Sequence, residues 1–316
     1  MNPVVLSFSH NEELGKKIVE VLSGDKGEFF ERHFPDGETY VRVLTAVKDR
    51  DVIIVCSLER PDDKLLPLCF LAGAAREAGA RSVGLIAPYL AYMRQDRSFN
   101  LGEAISSEYF GKIISTFFSW LITVDPHLHR YPTLAKVYSI PTHIVHAAPL
   151  IANYIRKEVV NPVIVGPDRE SAQWIREVAS AAHAGHIVLS KERLGDKDVK
   201  ITLPPELNLE TATPVLVDDI ISTGHTMQEV IKLLMQHGFK APVCVGVHGI
   251  FAENAYEELL KSGAQAVVTT NTIHHVSNKI DVSELLLQAA SDAEFFRFDS
   301  PDYLKNIQSI IEHGSI

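Results

Sequence analysis

Two neighbouring carboxylates, Asp218 and Asp219, follow the apolar run Val215–Val217. Behind them stand Ser222, Thr223, Gly224, His225 and Thr226, ahead of a helical pattern from Met227 to His237. An apolar run that short reads as a buried strand. A loop that feeds a helix N-terminus offers free backbone N–H groups and a partial positive charge, which suits a phosphate. The carboxylates can hold sugar hydroxyls, either directly or through a magnesium ion. In an open α/β sheet, ligands bind at the carboxyl ends of the strands. The segment therefore suits a molecule with a phosphate at one end and a diol at the other, which is the shape of a ribose 5-phosphate unit. No Gly-Lys-Ser/Thr follows Gly224, so this is not a Walker loop.

Other residue types in the chain point to the same kind of chemistry. Arg94, Gln95, Asp96 and Arg97 form a polar segment just past another apolar run. Arginine there suits bidentate phosphate contacts and glutamine suits a base edge. Asp96 either orients the flanking arginines or meets ligand itself. Phe34-Pro35-Asp36-Gly37-Glu38 is strong turn chemistry that also displays an aromatic face and two acceptors. His127, beyond the run ending at Val124, can coordinate magnesium, although that ion prefers oxygen. Asp168, beyond Val165, is the harder ligand of the two. Lys191 and Arg193 precede Asp196-Lys197-Asp198 and Pro204-Pro205, a stretch that reads as a long exposed loop able to act as a lid. In extended chain these two cations project to the same face.

The elements that must position these groups follow from the alternation of patterns. Apolar runs predict strands at Val4–Phe8, Val52–Cys56, Ser82–Ala87, Leu121–Val124, His143–His146, Val163–Val165, Ile187–Leu189, Val215–Val217, Val243–Val247 and Ala266–Thr269. Helical spacing occupies Glu12–Leu22, Lys64–Glu77, Glu103–Thr116, Ala172–Ala182, Met227–His237 and Ala255–Lys261, with a further helix expected over Tyr303–Glu312. Such alternation predicts an α/β fold of mainly parallel sheet flanked by helices. Phe29–His33 and Thr39–Val43 read instead as an antiparallel hairpin. The pattern repeats with a break near Ala147–Lys157, so two similar domains are expected, over 1–146 and 147–316.

Composition narrows the class. The chain has 316 residues, 46% hydrophobic and 22% charged, with a formal net charge of −10. That suits a soluble globular protein and disfavours a nucleic-acid partner, which needs a broad basic face. Cys56, Cys69 and Cys244 form no paired spacing, which argues against disulfides or a zinc site and fits a reducing compartment. No run approaches the roughly 18 apolar residues of a membrane span, and the N-terminus lacks a leader pattern, so a cytoplasmic location and no membrane partner are expected.

The segment Asp218–Thr226 resembles the phosphoribosyl-pyrophosphate motif of the phosphoribosyltransferase fold. Taken with the other motifs in their order, nearly the whole chain resembles the ribose-phosphate pyrophosphokinase family. Phe34–Glu38 is similar to that family's adenine-site hairpin, and Arg94–Arg97 to its second ATP segment. Val124-Asp125-Pro126-His127 is similar to its metal segment, and Val165-Gly166-Pro167-Asp168 to the start of its pyrophosphate loop. Lys191-Glu192-Arg193 falls at its catalytic loop, and Thr269–Ile273 with Asp281-Val282-Ser283 at its C-terminal signature.

The resemblance implies two phosphoribosyltransferase-type domains. It implies an ATP site from Phe34, Asp36, Glu38, Arg94, Gln95, Asp96 and Arg97. It implies a ribose 5-phosphate site from Asp218, Asp219, Ser222, Thr223, Gly224, His225 and Thr226, with Mg2+ held by His127 and Asp168 and catalysis by Lys191 and Arg193. It also implies a homo-oligomer whose hairpin reaches a neighbouring subunit. A phosphoribosyltransferase, or a silent regulatory relative of the kinase, is the competing expectation.

Overall fold

The computed structural model describes residues 1–128, 130–166, 172–189, 192–193, 199–200 and 211–292. The chain divides into two compact units. One comprises Met1–Ile144 with the described residues from Leu285 on, and the other comprises Val145–Glu284.

The first unit runs β1 (Val4–Ser7), α1 (Glu12–Val21), β2 (Asp25–Lys26), β3 (Phe29–His33), β4 (Thr39–Val43), β5 (Asp51–Val55), α2 (Pro61–Glu77), β6 (Ser82–Ala87), α3 (Ser106–Phe117), β7 (Trp120–Val124) and β8 (Thr142–Val145). Its sheet has the order β2-β1-β5-β6-β7-β8, and β3 and β4 pair separately as an antiparallel hairpin. Strands β5 and β7 are buried at every position. A parallel sheet covered on both faces requires such unbroken apolar runs, which is why these strands do not alternate.

The second unit runs α4 (Ala148–Glu158), β9 (Pro162–Gly166), α5 (Ala172–Ala182), β10 (Gly185–Val188), β11 (Glu192–Arg193), β12 (Val199–Lys200), β13 (Thr213–Ile221), α6 (His225–Gln236), β14 (Val243–Gly249), α7 (Ala255–Lys261), β15 (Ala266–Thr270) and β16 (Asn278–Ile280), and α8 (Ser283–Ser291) follows. Its sheet order, β10-β9-β13-β14-β15-β16, repeats that of the first unit, and its pairings are parallel. The expected α/β architecture of two similar, mainly parallel domains is what the chain adopts. No helix among the described residues is long and apolar enough to cross a membrane.

Three local expectations change. The stretch taken as a break, Ala147–Lys157, is helix α4, with Pro149 in its first turn and Ala148, Ile151, Ala152 and Ile155 buried. Proline there costs nothing, because the first-turn amides have no intrahelical partner. The spacing of the apolar residues gives the helix one buried face. α8 likewise stands where no helix was expected. The third change concerns β13, which does not stop at Val217 but continues through both aspartates to Ile221, pairing Asp218 with Gly246 and Ile221 with Gly249. The ladder with β14 supplies hydrogen bonds that carry the strand past its apolar run. The predicted helix Tyr303–Glu312 lies outside the described residues.

Gly84 of β6 sits opposite Trp120 of β7, and a Cβ there would fall on the indole ring. A Gly84→Ala variant is expected to lose about 1–3 kcal/mol of stability, as overpacked cores do. Thermal unfolding read by circular dichroism measures it. An unchanged midpoint would show that the indole has room to move.

Candidate active site

In the second unit the chain passes outward from β9 to β10 and then returns to β13 on the other side of β9. This is the topological switch point, where the crevice outside the strand ends receives ligand. The carboxyl end of β13 therefore places Asp218–Thr226 at the position the sheet makes available. Asp218 and Asp219 are half-buried, while Thr223 and His225 are exposed. The Asp218 carboxylate accepts a hydrogen bond from the Asp219 backbone N–H at 3.0 Å.

Leu216 and Ile221 both pack into one apolar cluster with Met227, Val230 and Leu259. They are an odd number of positions apart, so strict strand alternation fails between them. Ile221, the last residue of β13, turns onto that face although the pairing with β14 stays in register across the twin aspartates. Gly246 permits it, because a Cβ there would meet Ile221 Cγ1 at 2.7 Å. Gly224 then turns the chain into α6 at φ 70, ψ 2, the left-handed region open to glycine, and no side chain caps the helix. A helix start capped by glycine leaves its first-turn amides to an outside acceptor.

The first unit carries the other expected residues. At the hairpin tip the Phe34 N–H donates to Glu38 O at 2.8 Å, and Gly37 takes φ 95. Phe34, Asp36 and Glu38 are all exposed. The Phe34 ring is held edge-on by Tyr40, centroids 6.0 Å apart, and the Arg32 guanidinium lies 4.2 Å from its centroid. A cavity of about 440 Å³ along the hairpin is lined by Phe30, Arg32, Tyr40, Arg42 and Leu44. Arg32, Tyr40 and Arg42 are site-lining residues that the motifs do not mark. Their alternation along paired strands, which places them on one face, was the available signal.

The segment after β6 is less uniform than its composition suggests. Met93 and Asp96 are buried, whereas Arg94 and Arg97 are exposed. The Gln95 Oε1 accepts from Ser106 Oγ at 2.9 Å, at the start of α3. Asp96 departs from the expected ATP contact. Its carboxylate is only 2% exposed and pairs with the Arg130 guanidinium at 2.6 Å. A group so enclosed anchors the segment and does not present itself to a ligand.

His127 is half-buried beyond β7, following Asp125, which has a φ of 30. A left-handed backbone at a non-glycine residue is strain of the kind that collects at functional sites. Among the described residues, no three of His, Cys, Asp or Glu converge on a metal-sized space. Asp168 and Lys191 lie outside the described residues, and of Arg193 only the backbone, in β11, is described.

The switch point of the first unit, between β1 and β5, contrasts with that of the second. Asn11 and Ser57 hydrogen-bond each other there, at 2.8 and 3.3 Å, and Lys64 Nζ donates to Ser57 O at 2.7 Å while pairing with Glu59. The protein's own side chains fill this position. Burial pushes the Cys56 and Cys244 thiols up to about 12 and the Cys69 thiol up to about 11, so none is a ready thiolate near neutral pH.

Two units of one sheet order, one with a glycine-started helix at its switch point, define a protein of the phosphoribosyltransferase fold class. Residues 3–117 match the N-terminal domain of ribose phosphate pyrophosphokinase, and residues 134–283 match the phosphoribosyl transferase domain. A ribose-phosphate pyrophosphokinase of Methanopyrus kandleri is 36% identical over 92% of this chain and 99% of its own length. Another, of Sulfolobus acidocaldarius, is 36% identical over 87% of this chain and 94% of its own. The phosphoribosylpyrophosphate synthetase of Mycobacterium smegmatis superposes with a TM-score of 0.81, at 22% identity, over 92% of this chain and 98% of that one. The chain belongs to the ribose-phosphate pyrophosphokinase family.

Proposed function

We propose that the protein transfers the pyrophosphoryl group of ATP to the C1 hydroxyl of ribose 5-phosphate, giving phosphoribosyl pyrophosphate and AMP. The observation that carries this reading is the glycine-capped start of α6 at the switch point of the second sheet. Ser222, Thr223, Gly224, His225 and Thr226 cradle the 5-phosphate through backbone amides and hydroxyls. Asp218 and Asp219 hold the ribose diol.

The exposed Phe34 stacks on adenine, with Asp36 and Glu38 accepting from the base amine or ribose. Arg94 and Arg97 meet the phosphates and Gln95 meets the nucleotide. The C1 oxygen bonds to the β-phosphorus as the bond to the α,β-bridging oxygen breaks, and AMP leaves with that oxygen. Lys191 and Arg193 neutralise the charge that spreads over the transferring group, since such transfers depend on positioning and electrostatics. Asp219 takes its proton, and a cation that polarises the hydroxyl would make that proton easier to remove.

Mg2+, when bound, supplies charge neutralisation on the phosphates. His127 and Asp168 would hold it, and one imidazole with one carboxylate suits an ion that keeps water and substrate phosphate as its remaining ligands. The enzyme acts as a homo-oligomer in the cytoplasm, with the exposed hairpin completing a neighbour's ATP site. Leu66 and Phe70 on α2, with Tyr109 and Ile113 on α3, are exposed apolar residues that support association.

Product analysis with ATP, magnesium and ribose 5-phosphate tests the reading. AMP that forms only when the sugar phosphate is present is the expected result. ADP formation would assign an ordinary kinase instead.

A further inference from the structure

We propose that Arg130 is a positioning residue of the ATP segment, acting through the buried Asp96 to hold Arg94 and Arg97 outward. The proposal rests on the reading that those two arginines meet ATP. Met93–Arg97 combines three held residues with two displayed ones. Met93 is buried, and Tyr138 Oη lies 3.7 Å from its sulfur. Gln95 is held by Ser106 Oγ, and its carbonyl accepts from the Ser107 N–H at 3.3 Å. Asp96 is held twice, through its carboxylate by Arg130 Nη1 at 2.6 Å and through its carbonyl by the Tyr131 hydroxyl at 3.3 Å. Arg94 and Arg97 remain exposed between these anchors.

Arg130 touches the segment at a second point. Its guanidinium lies 5.9 Å from the Phe99 ring centroid, and that of Arg97 lies 4.6 Å from the same ring. One aromatic ring thus serves both cations, which ties Arg97 to Arg130. The turn beneath it is closed by Glu103, whose carboxylate accepts from the Phe99 and Asn100 N–H groups at 2.7 and 3.1 Å. Asp96 and Arg130 are separated by 34 positions in sequence. Their pair therefore ties the loop beyond β7, which carries His127, to the loop beyond β6, which carries the arginines. Guanidinium suits the task better than an ammonium, because its planar fork can pair with a carboxylate and stack on a ring at once.

Steady-state kinetics of Arg130→Ala should show KM for ATP raised at least tenfold, with KM for ribose 5-phosphate within about twofold. Arg130→Lys, keeping charge without the fork, should recover part of that loss. If Arg130→Ala fails to fold because Asp96 is left buried and unpaired, the double variant Asp96→Asn with Arg130→Met decides. It should unfold near the parent midpoint yet keep the raised KM for ATP. A KM for ATP within twofold of the parent in whichever of these variants folds would overturn the proposal. Arg94→Ala and Arg97→Ala separate the two readings. If neither raises KM for ATP, the ATP segment itself is misassigned. If they raise it and the Arg130 variants do not, only the positioning role fails.

Discussion

A Lys191→Ala variant turns over at least a hundredfold more slowly than the parent, while its affinity for ATP stays within about threefold. The reason lies in the transition state. A pyrophosphoryl group in transfer spreads negative charge over oxygens that gain no covalent partner from the protein, so the catalyst contributes fixed positive charge. Lys191 stands between β10 and the two-residue strand β11, in the stretch that the sequence marks as a lid. A group that meets the phosphates only when such a lid closes acts on kcat more than on ground-state binding. Rapid-quench measurement of AMP formation, with ATP binding followed by calorimetry, separates the two effects. A rate within threefold of the parent would remove Lys191 from the chemistry.

The second large effect is expected at Gly224. A Gly224→Val variant raises KM for ribose 5-phosphate by roughly ten- to a hundredfold, because it strikes the cradle and not the nucleotide site. The φ of 70 lies in the region that a β-branched residue enters only at a cost of about 1–2 kcal/mol or more. A Cβ would also stand 3.3 Å from Leu259 Cγ, beneath the loop. The backbone must then rotate, and the amides at the start of α6 no longer converge. KM for ATP, measured at saturating sugar phosphate, should change little. Equal increases for both substrates would point to general damage to the second unit.

What the sequence disclosed follows from what its signals are made of. Strand β6 and helices α5 and α7 stand at the residues expected, because each is a purely local pattern bounded by turn residues or glycine. Helix α4 is hidden because a short amphipathic helix begins where the two repeated patterns meet. The continuation of β13 through Asp218 and Asp219 was hidden for a different reason. An apolar-run criterion stops at the first charge, whereas the strand is prolonged by pairing with Gly246–Gly249 on β14, which no local pattern records.

Asp96 shows the same limit within the candidate site. Beside two arginines it reads either as their orienter or as another ligand contact, and its partner Arg130, far along the chain, is not legible from that segment. Arg32 and Tyr40, which hold the Phe34 ring, share a face through the alternation of the expected hairpin strands, but their contacts with that ring belong to the folded hairpin. The residue types for phosphate and diol recognition were legible from Asp218 to Thr226. Their standing at a switch point, and the filling of the equivalent position in the first unit by Asn11, Ser57 and Lys64, belong to topology.

On the proposed function, the loop from β13 into α6 grips a pentose monophosphate while nucleotide is delivered to its C1 oxygen. A crystal structure of the protein with ribose 5-phosphate and a non-transferable ATP analogue tests it most directly. The sugar's phosphate is expected within hydrogen-bond reach of the backbone amides between Thr223 and Thr226, its hydroxyls at Asp218 and Asp219, and the C1 oxygen facing the β-phosphorus. An empty loop, with the sugar phosphate bound elsewhere, would contradict it.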